Sequence, residues 1–140
     1  MITIDTTTPF GARVRQHLDQ DIIIWLVTVD GAGTPQPSPV WFLPYDDAVL
    51  IFSKPETAKL RNIERNPKVA LHFDGNGHGG DIVIITGIAR IDRDLPSAAE
   101  LPRYIVKYAD HIKNLNMTNE SFAAAYSVPI LVDLQTLRGH

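Results

Sequence analysis

The stretch DIIIWLVTVDGAGTPQPSPVWF, residues 21–42, decides the fold class. Residues 21–30 are rich in β-branched side chains and nearly all apolar, as in a strand covered on both faces. Asp30-Gly-Ala-Gly-Thr34 supplies a turn, which predicts a hairpin partner directly after it. Just before and along that partner, residues 36–43, prolines alternate: Pro35, Pro37 and Pro39. Proline has no N–H, and alternate residues of a strand aim their backbone groups to the same side. The second strand therefore either pairs along one edge alone or is irregular until Val40.

Upstream, Thr8-Pro9 opens a helical pattern in which Phe10, Val14 and Leu18 recur every fourth residue. Downstream, residues 49–53, 69–73 and 82–91 read as third, fourth and fifth strands, with a helix between the third and the fourth. Residues 96–126 change to helical spacing, with Leu101, Ile105, Tyr108 and Ile112 on one face and a second helix start at Thr118-Asn-Glu120. Residues 129–137 return to strand alternation. Six strands, hairpin-like links and few crossover helices predict a mainly β chain with peripheral helices, a closed or split six-stranded barrel rather than a parallel α/β sheet.

With 140 residues, 44% of them hydrophobic and 21% charged, the chain suits one globular domain over residues 1–140 and excludes wholesale disorder. A formal charge of −3 offers no broad attraction for a polyanion, so nucleic acid is not an expected partner. The absence of cysteine removes disulfides, Cys-ligated zinc, iron–sulfur clusters and thiol nucleophiles together. Redox electrons must then come from a bound cofactor. The first nine residues have neither a basic start nor a signal-length apolar run, and the longest apolar stretch, residues 22–29, is too short for a bilayer. A cytoplasmic protein without membrane association is expected.

Phe52-Ser-Lys-Pro-Glu-Thr-Ala-Lys-Leu-Arg-Asn-Ile63 carries the most chemistry. Ser53-x-x-Glu56 has capping-box spacing, Pro55 suits a first turn, and Thr57 is a second possible cap. Either start sets free amides and the positive end of a helix beside Lys54 and Lys59, with Arg61 one turn above Thr57. The segment is either a small anion cradle or a capped surface helix with solvated basic residues. Gly75-Asn-Gly-His-Gly-Gly80 matches G-x-G-x-x-G in letters, but a strand rather than a helix follows, which excludes the dinucleotide fingerprint. It reads as a hairpin loop whose His78 either meets a planar ligand or is merely exposed. The histidines lack metal-ligand spacing, no Gly-x-Ser-x-Gly elbow exists, and no metal is expected. Trp41, where the second strand leaves its proline-rich edge, walls a pocket or fills one.

Several ordered blocks carry a family resemblance: Val27-Thr-Val-Asp-Gly31, Pro35 to Phe42, Leu50-Ile-Phe-Ser53, Thr57 to Ile63, Asn66-Pro-Lys-Val-Ala-Leu-His-Phe73, and Gly80-Asp81 to Gly87. Together they resemble the flavin/deazaflavin oxidoreductase superfamily, related to pyridoxamine 5′-phosphate oxidase, and within it the branch of coenzyme F420-dependent enzymes. The resemblance implies a split-barrel homodimer with cofactor at the subunit interface and its phosphate at the helix after the third strand. It implies Lys59 as the phosphate lysine, Ser53, Thr57, Ala58, Arg61 and Asn62 around the phosphate and tail, and Pro39, Val40, Trp41 and Phe42 beside the ring, with Phe52 also among the cofactor-binding residues. His78 and Gly79 fall where the family's loop reaches the cofactor, usually from the neighbouring subunit. The second strand has Pro37 and Phe42 where the pyridoxamine oxidase branch is basic, which argues against pyridoxal phosphate synthesis.

Hydride transfer asks the protein mainly to hold a cofactor against an acceptor in a dry pocket. The expected activity is therefore hydride transfer between F420 and a small conjugated organic acceptor. FMN is the alternative cofactor, and a non-enzymatic haem or planar-ligand protein the alternative class. No side chain is nominated as catalytic.

Overall fold

A computed structural model describes residues 2–140. Helix α1, Pro9–Gln20, starts where Thr8-Pro9 predicted: the Thr8 hydroxyl accepts from the Gly11 amide, and Val14 and Leu18 are buried. The strands are β1 Ile24–Val29, β2 Pro35–Val40, β3 Leu43–Tyr45, β4 Ala48–Ser53, β5 Lys68–His72, β6 Val83–Ile91 and β7 Val128–Gly139. Helix α2, Ala58–Arg65, follows β4; α3, Pro102–Asn114, and α4, Asn119–Ala125, lie between β6 and β7. Among the described residues the strand count is seven, not six. The second predicted strand ends early at Val40, and its last residue, Leu43, instead begins β3 against β4.

All strands join one antiparallel sheet in the order β2-β1-β5-β6-β7-β4-β3. Laid flat, its outer strands would be about 29 Å apart at the usual interstrand spacing. Yet the chain crosses from one outer strand to the other through Trp41 and Phe42 alone, a reach of roughly 10 Å. The sheet must therefore curl into a half-barrel whose split is bridged by these two residues. The prolines behave as predicted: β2 pairs only with β1, and Pro35, Pro37 and Pro39 sit opposite Val29, Val27 and Trp25.

Two apolar clusters explain why β4 is buried at every position. Val49 and Ile51 point into the barrel with Leu26, Leu71, Ile85 and Ile130, whereas Leu50 and Phe52 pack against Tyr104, Tyr108, Ile112 and Phe122 of the helices. The helices thus form a second layer over one flank of the sheet. At the split, the Tyr108 hydroxyl accepts from the Phe42 amide (2.8 Å) and lies within donating distance of the carbonyls of Ile22 (2.7 Å) and Phe42 (3.0 Å). Lys107 donates to the Phe42 carbonyl at 2.9 Å while its Nζ lies 3.7 Å from the Phe42 ring centroid. Burial lowers the Lys107 pKa to about 8 despite the opposing pull of Asp21 and Asp19.

The β6–β7 ladder slips by one residue at Thr86/Gly87. A Cβ on Gly87 would stand 2.6 Å from the Asp133 carbonyl oxygen and 2.7 Å from Val132 Cγ1, so the slip requires glycine. Gly87→Ala is expected to lower stability by about 1–3 kcal/mol, the usual cost of overpacking, measurable by urea denaturation.

Candidate functional site

The start of α2 differs from the predicted capping box. Thr57, not Ser53, is the N-cap, and neither hydroxyl caps an amide. Ser53 Oγ donates to the Lys54 carbonyl at 2.8 Å, leaving Thr57 Oγ1 to donate to Ser53 Oγ at 2.9 Å. Glu56 adopts φ 64°, and Arg61 steadies that left-handed turn by donating to the Glu56 carbonyl at 2.9 Å. The leading amides of α2 are therefore left without a side-chain cap. Lys59, one residue inside the helix, is half-buried and has no hydrogen-bond or ion-pair partner among the described residues; burial alone holds its pKa below the usual lysine value. A desolvated ammonium beside uncapped amides suits an anion.

This helix start opens onto a cavity of about 470 Å³. Ser53, Lys54, Thr57 and Lys59 form its polar end, Pro39, Val40 and Trp41 one wall, and Phe52, Tyr104, Leu115, Phe122 and Tyr126 the rest. Its aromatic end is one connected stack. Trp41 lies 4.7 Å from Tyr108 and 5.3 Å from Phe122, Phe122 lies 4.5 Å from Tyr126, and Lys54 Nζ sits 5.4 Å from the Tyr126 ring. The arrangement offers a cationic pocket for a phosphate or carboxylate and flat apolar walls for a ring.

Of the residues singled out from sequence, Pro39, Val40, Trp41, Phe52, Ser53, Thr57 and Lys59 line this cavity. The others lie elsewhere. Phe42 is fully buried in the barrel core, and Ala58 is exposed at the first turn of α2. Arg61 braces the turn, and buried Asn62 donates to Thr28 Oγ1 at 3.0 Å, tying α2 to β1. His78 and Gly79 are exposed in the loop between β5 and β6, where Asn76 Oδ1 accepts from the amides of His78 and Gly80. His72 stacks with Trp25, and its Nδ1 lies 3.0 Å from the Phe73 carbonyl. Lys54, which sequence reading set beside the helix start, also lines the cavity; sequence reading passed over Tyr104, Leu115, Phe122 and Tyr126, and the available signal was the Tyr104/Tyr108 and Phe122/Tyr126 spacing of four on helical segments.

The base of that loop is held by charge. Asp81 accepts from Arg13 at 2.7 Å and pairs with His17 Nε2 at 3.0 Å, while His17 Nδ1 meets Asp21 at 2.7 Å. Burial on its own would lower the His17 pKa, but the hydrogen bonds and charges of Asp81 and Asp21 outweigh it, and the net shift is upward. Hydrogen bonds from His17 and Arg13 lower the Asp81 pKa. His17 thus adds stability below its unfolded pKa near 6.5, and this contribution fades as pH rises through its higher folded value. Asp81 adds stability above its unfolded value near 3.8 and loses it as pH falls through the lower folded one. Melting temperatures from pH 6 to 8 should fall more steeply for the natural chain than for Asp81→Asn, which weakens the His17 partnership; parallel profiles would refute the pairing.

A curled antiparallel half-barrel with an open helix start facing an aromatic cleft fits the split-barrel class, and the family match places it in the flavin and deazaflavin oxidoreductase superfamily. The chain belongs to the pyridoxamine 5′-phosphate oxidase family, whose model it matches over residues 10–131. No curated protein matches it. Among solved structures it is similar to an F420 reductase, at 20% identity and a TM-score of 0.65 over 89% of this chain and 94% of the other. It is also similar to HutZ, the haem storage protein of Vibrio cholerae, at 14% identity and a TM-score of 0.63 over 94% and 95% of the two chains. A third is General Stress Protein 26 of Bacillus anthracis, at 19% identity and a TM-score of 0.65 over 90% and 89%. At these identities the likeness is one of fold.

Proposed function

We propose that the protein is an oxidoreductase that binds the deazaflavin coenzyme F420 and transfers hydride between it and a small conjugated organic acceptor. The observation that carries the reading is the meeting, in one cavity, of a half-buried lysine with no partner among the described residues, an uncapped helix start and a continuous aromatic wall. Lys59 and the first amides of α2 would hold the coenzyme phosphate, with Ser53 and Thr57 beside it, while Trp41 and Phe52 would bound the ring. Bound and reduced, the coenzyme supplies the hydride. Phe122 and Tyr126 restrict water at the apolar end. The F420 reductase of like fold supports the choice of coenzyme, and FMN is the alternative with the same phosphate handle.

The reading includes a homodimer. Outside the barrel, Val27, Val29, Pro35, Val69, Ala70 and Ile88 line a mostly apolar groove of about 410 Å³ across β1, β5 and β6, which suits a second copy of the chain. In the dimer, His78 and Gly79 would approach the partner's cofactor. Titration with F420 and FMN side by side, with the oligomeric state followed by sedimentation, tests both parts. F420 binding to a dimer is expected. Retention of FMN with no affinity for F420 would reject the deazaflavin, and a monomer at all concentrations would reject the shared site.

A further inference from the structure

The loop between β5 and β6 is tied to the rest of the chain at its base rather than at its tip. A Cβ on Gly77 or Gly79, either side of His78, would meet nothing within 4 Å. Below the tip, His140 Nε2 lies 3.1 Å from the Gly79 carbonyl, and the backbones of Ile82 and His140 bond to each other in both directions. Between these contacts stands Asp81, at φ 54°. A residue with a side chain keeps that left-handed conformation only where its surroundings hold it, and here two cations from α1 do so. Arg13 donates to Asp81 Oδ1 at 2.7 Å, and His17 Nε2 lies 3.0 Å from both Asp81 oxygens.

His17 makes this hold conditional on a proton. Its Nδ1 lies 2.7 Å from Asp21 Oδ2, and its ring stacks on Phe73 at 4.9 Å, so it touches both ends of the loop. A neutral imidazole has one N–H; only the imidazolium donates to both carboxylates at once. Asp21 has no other side-chain partner among the described residues, whereas Asp81 also has Arg13. We propose that His17 is a proton-operated latch on the β5–β6 loop: the imidazolium fastens Asp81, and on deprotonation the remaining N–H stays with Asp21 while a lone pair turns on Asp81 and frees the base of the loop. Burial opposes the charge on His17, but the bonds to Asp81 and Asp21 outweigh it and its pKa stands above 6.5. The latch therefore holds at acidic pH and opens as pH rises through that higher value. Other ionisable groups nearby are engaged elsewhere: Asp74 accepts from Trp25 Nε1 at 2.7 Å, His72 Nδ1 lies 3.0 Å from the Phe73 carbonyl, and Lys107, which attracts Asp21 at longer range, donates to Phe42. That the latch would govern how firmly His78 meets a partner's cofactor rests on the proposed function; the latch itself does not.

Amide hydrogen exchange of the free protein between about pH 5.5 and 8.5, each rate divided by its intrinsic value at that pH, reads the latch at the Asn76, Gly80 and Ile82 amides. Their protection should fall about fivefold, the scale of one partly exposed ion pair, with the midpoint of the His17 ring titration followed by NMR. His17→Gln, uncharged throughout, should abolish the step. His78→Gln and His140→Gln, which change the other two histidines of this region at exposed positions, should keep it. Flat protection in wild type overturns the proposal, as does a step that survives His17→Gln, disappears with either surface histidine, or follows a midpoint other than that of His17. Should His17→Gln fail to fold, the two surface variants and the coincidence of midpoints still decide. No cofactor enters these measurements, so failure to bind F420 would reject the proposed function and leave the latch standing.

Discussion

Replacing Lys59 by alanine is expected to weaken cofactor binding 10- to 100-fold. The change removes one charge-assisted contact to a phosphate, worth about 1.5–3 kcal/mol. Lys59 has no protein partner among the described residues, and its charge is disfavoured by burial, so the same substitution should leave the melting temperature unchanged or slightly higher. Loss of affinity without loss of stability distinguishes a ligand-binding lysine from a structural one. Titration calorimetry with F420 or FMN gives the first quantity and a thermal melt of the free protein the second. An unchanged dissociation constant would place the phosphate somewhere other than the start of α2.

Tyr108→Phe should have the opposite profile. Deleting its hydroxyl strips the Phe42 amide and the Ile22 carbonyl of a partner, while the Phe42 carbonyl keeps Lys107. Two backbone groups without partners cost about 2–4 kcal/mol together, and a chain of this size should melt roughly 6–16 °C lower. Binding should suffer only as far as the fold does. The loss arises at the crossing from β2 to β3, where no ladder bonds join the outermost strands, so α3 contributes to barrel integrity as well as to the cavity. A variant as stable as the natural chain would show that Trp41 and Phe42 hold the crossing without help.

The sheet was legible because its segments have strong period-two or all-apolar patterns, as in β1, β4 and β6, and because glycine and aspartate mark the turns. The seventh strand was hidden by its three residues and by Trp41-Phe42, whose apolar character made residues 36–43 look continuous. Of the two caps the sequence offered, Thr57 is the one that opens the helix: Ser53-x-x-Glu56 has the letters of a capping box, but Glu56 adopts a left-handed φ and the helix begins beyond it. Capping depends on backbone angles that a four-letter spacing does not encode. The polar half of the cavity was readable, since it lies on one contiguous segment around Lys59. The aromatic half was not, because Tyr104, Phe122 and Tyr126 come from helices whose docking across the sheet is a tertiary event. Tyr104 was left out of the predicted buried face in favour of Leu101 and Ile105, which are only half-buried. Asn62 and Arg61 share a helix with Lys59 but bond to their own chain instead.

The alternating prolines of β2 bear on how copies of this chain can associate. An outer strand normally offers a row of amide donors on which a foreign strand can polymerise, the route to fibrils and runaway aggregates. Here the three positions that would present those donors to solvent have none. Main-chain zipping is blocked along that rim, so any association through β2 would have to rest on side-chain contacts.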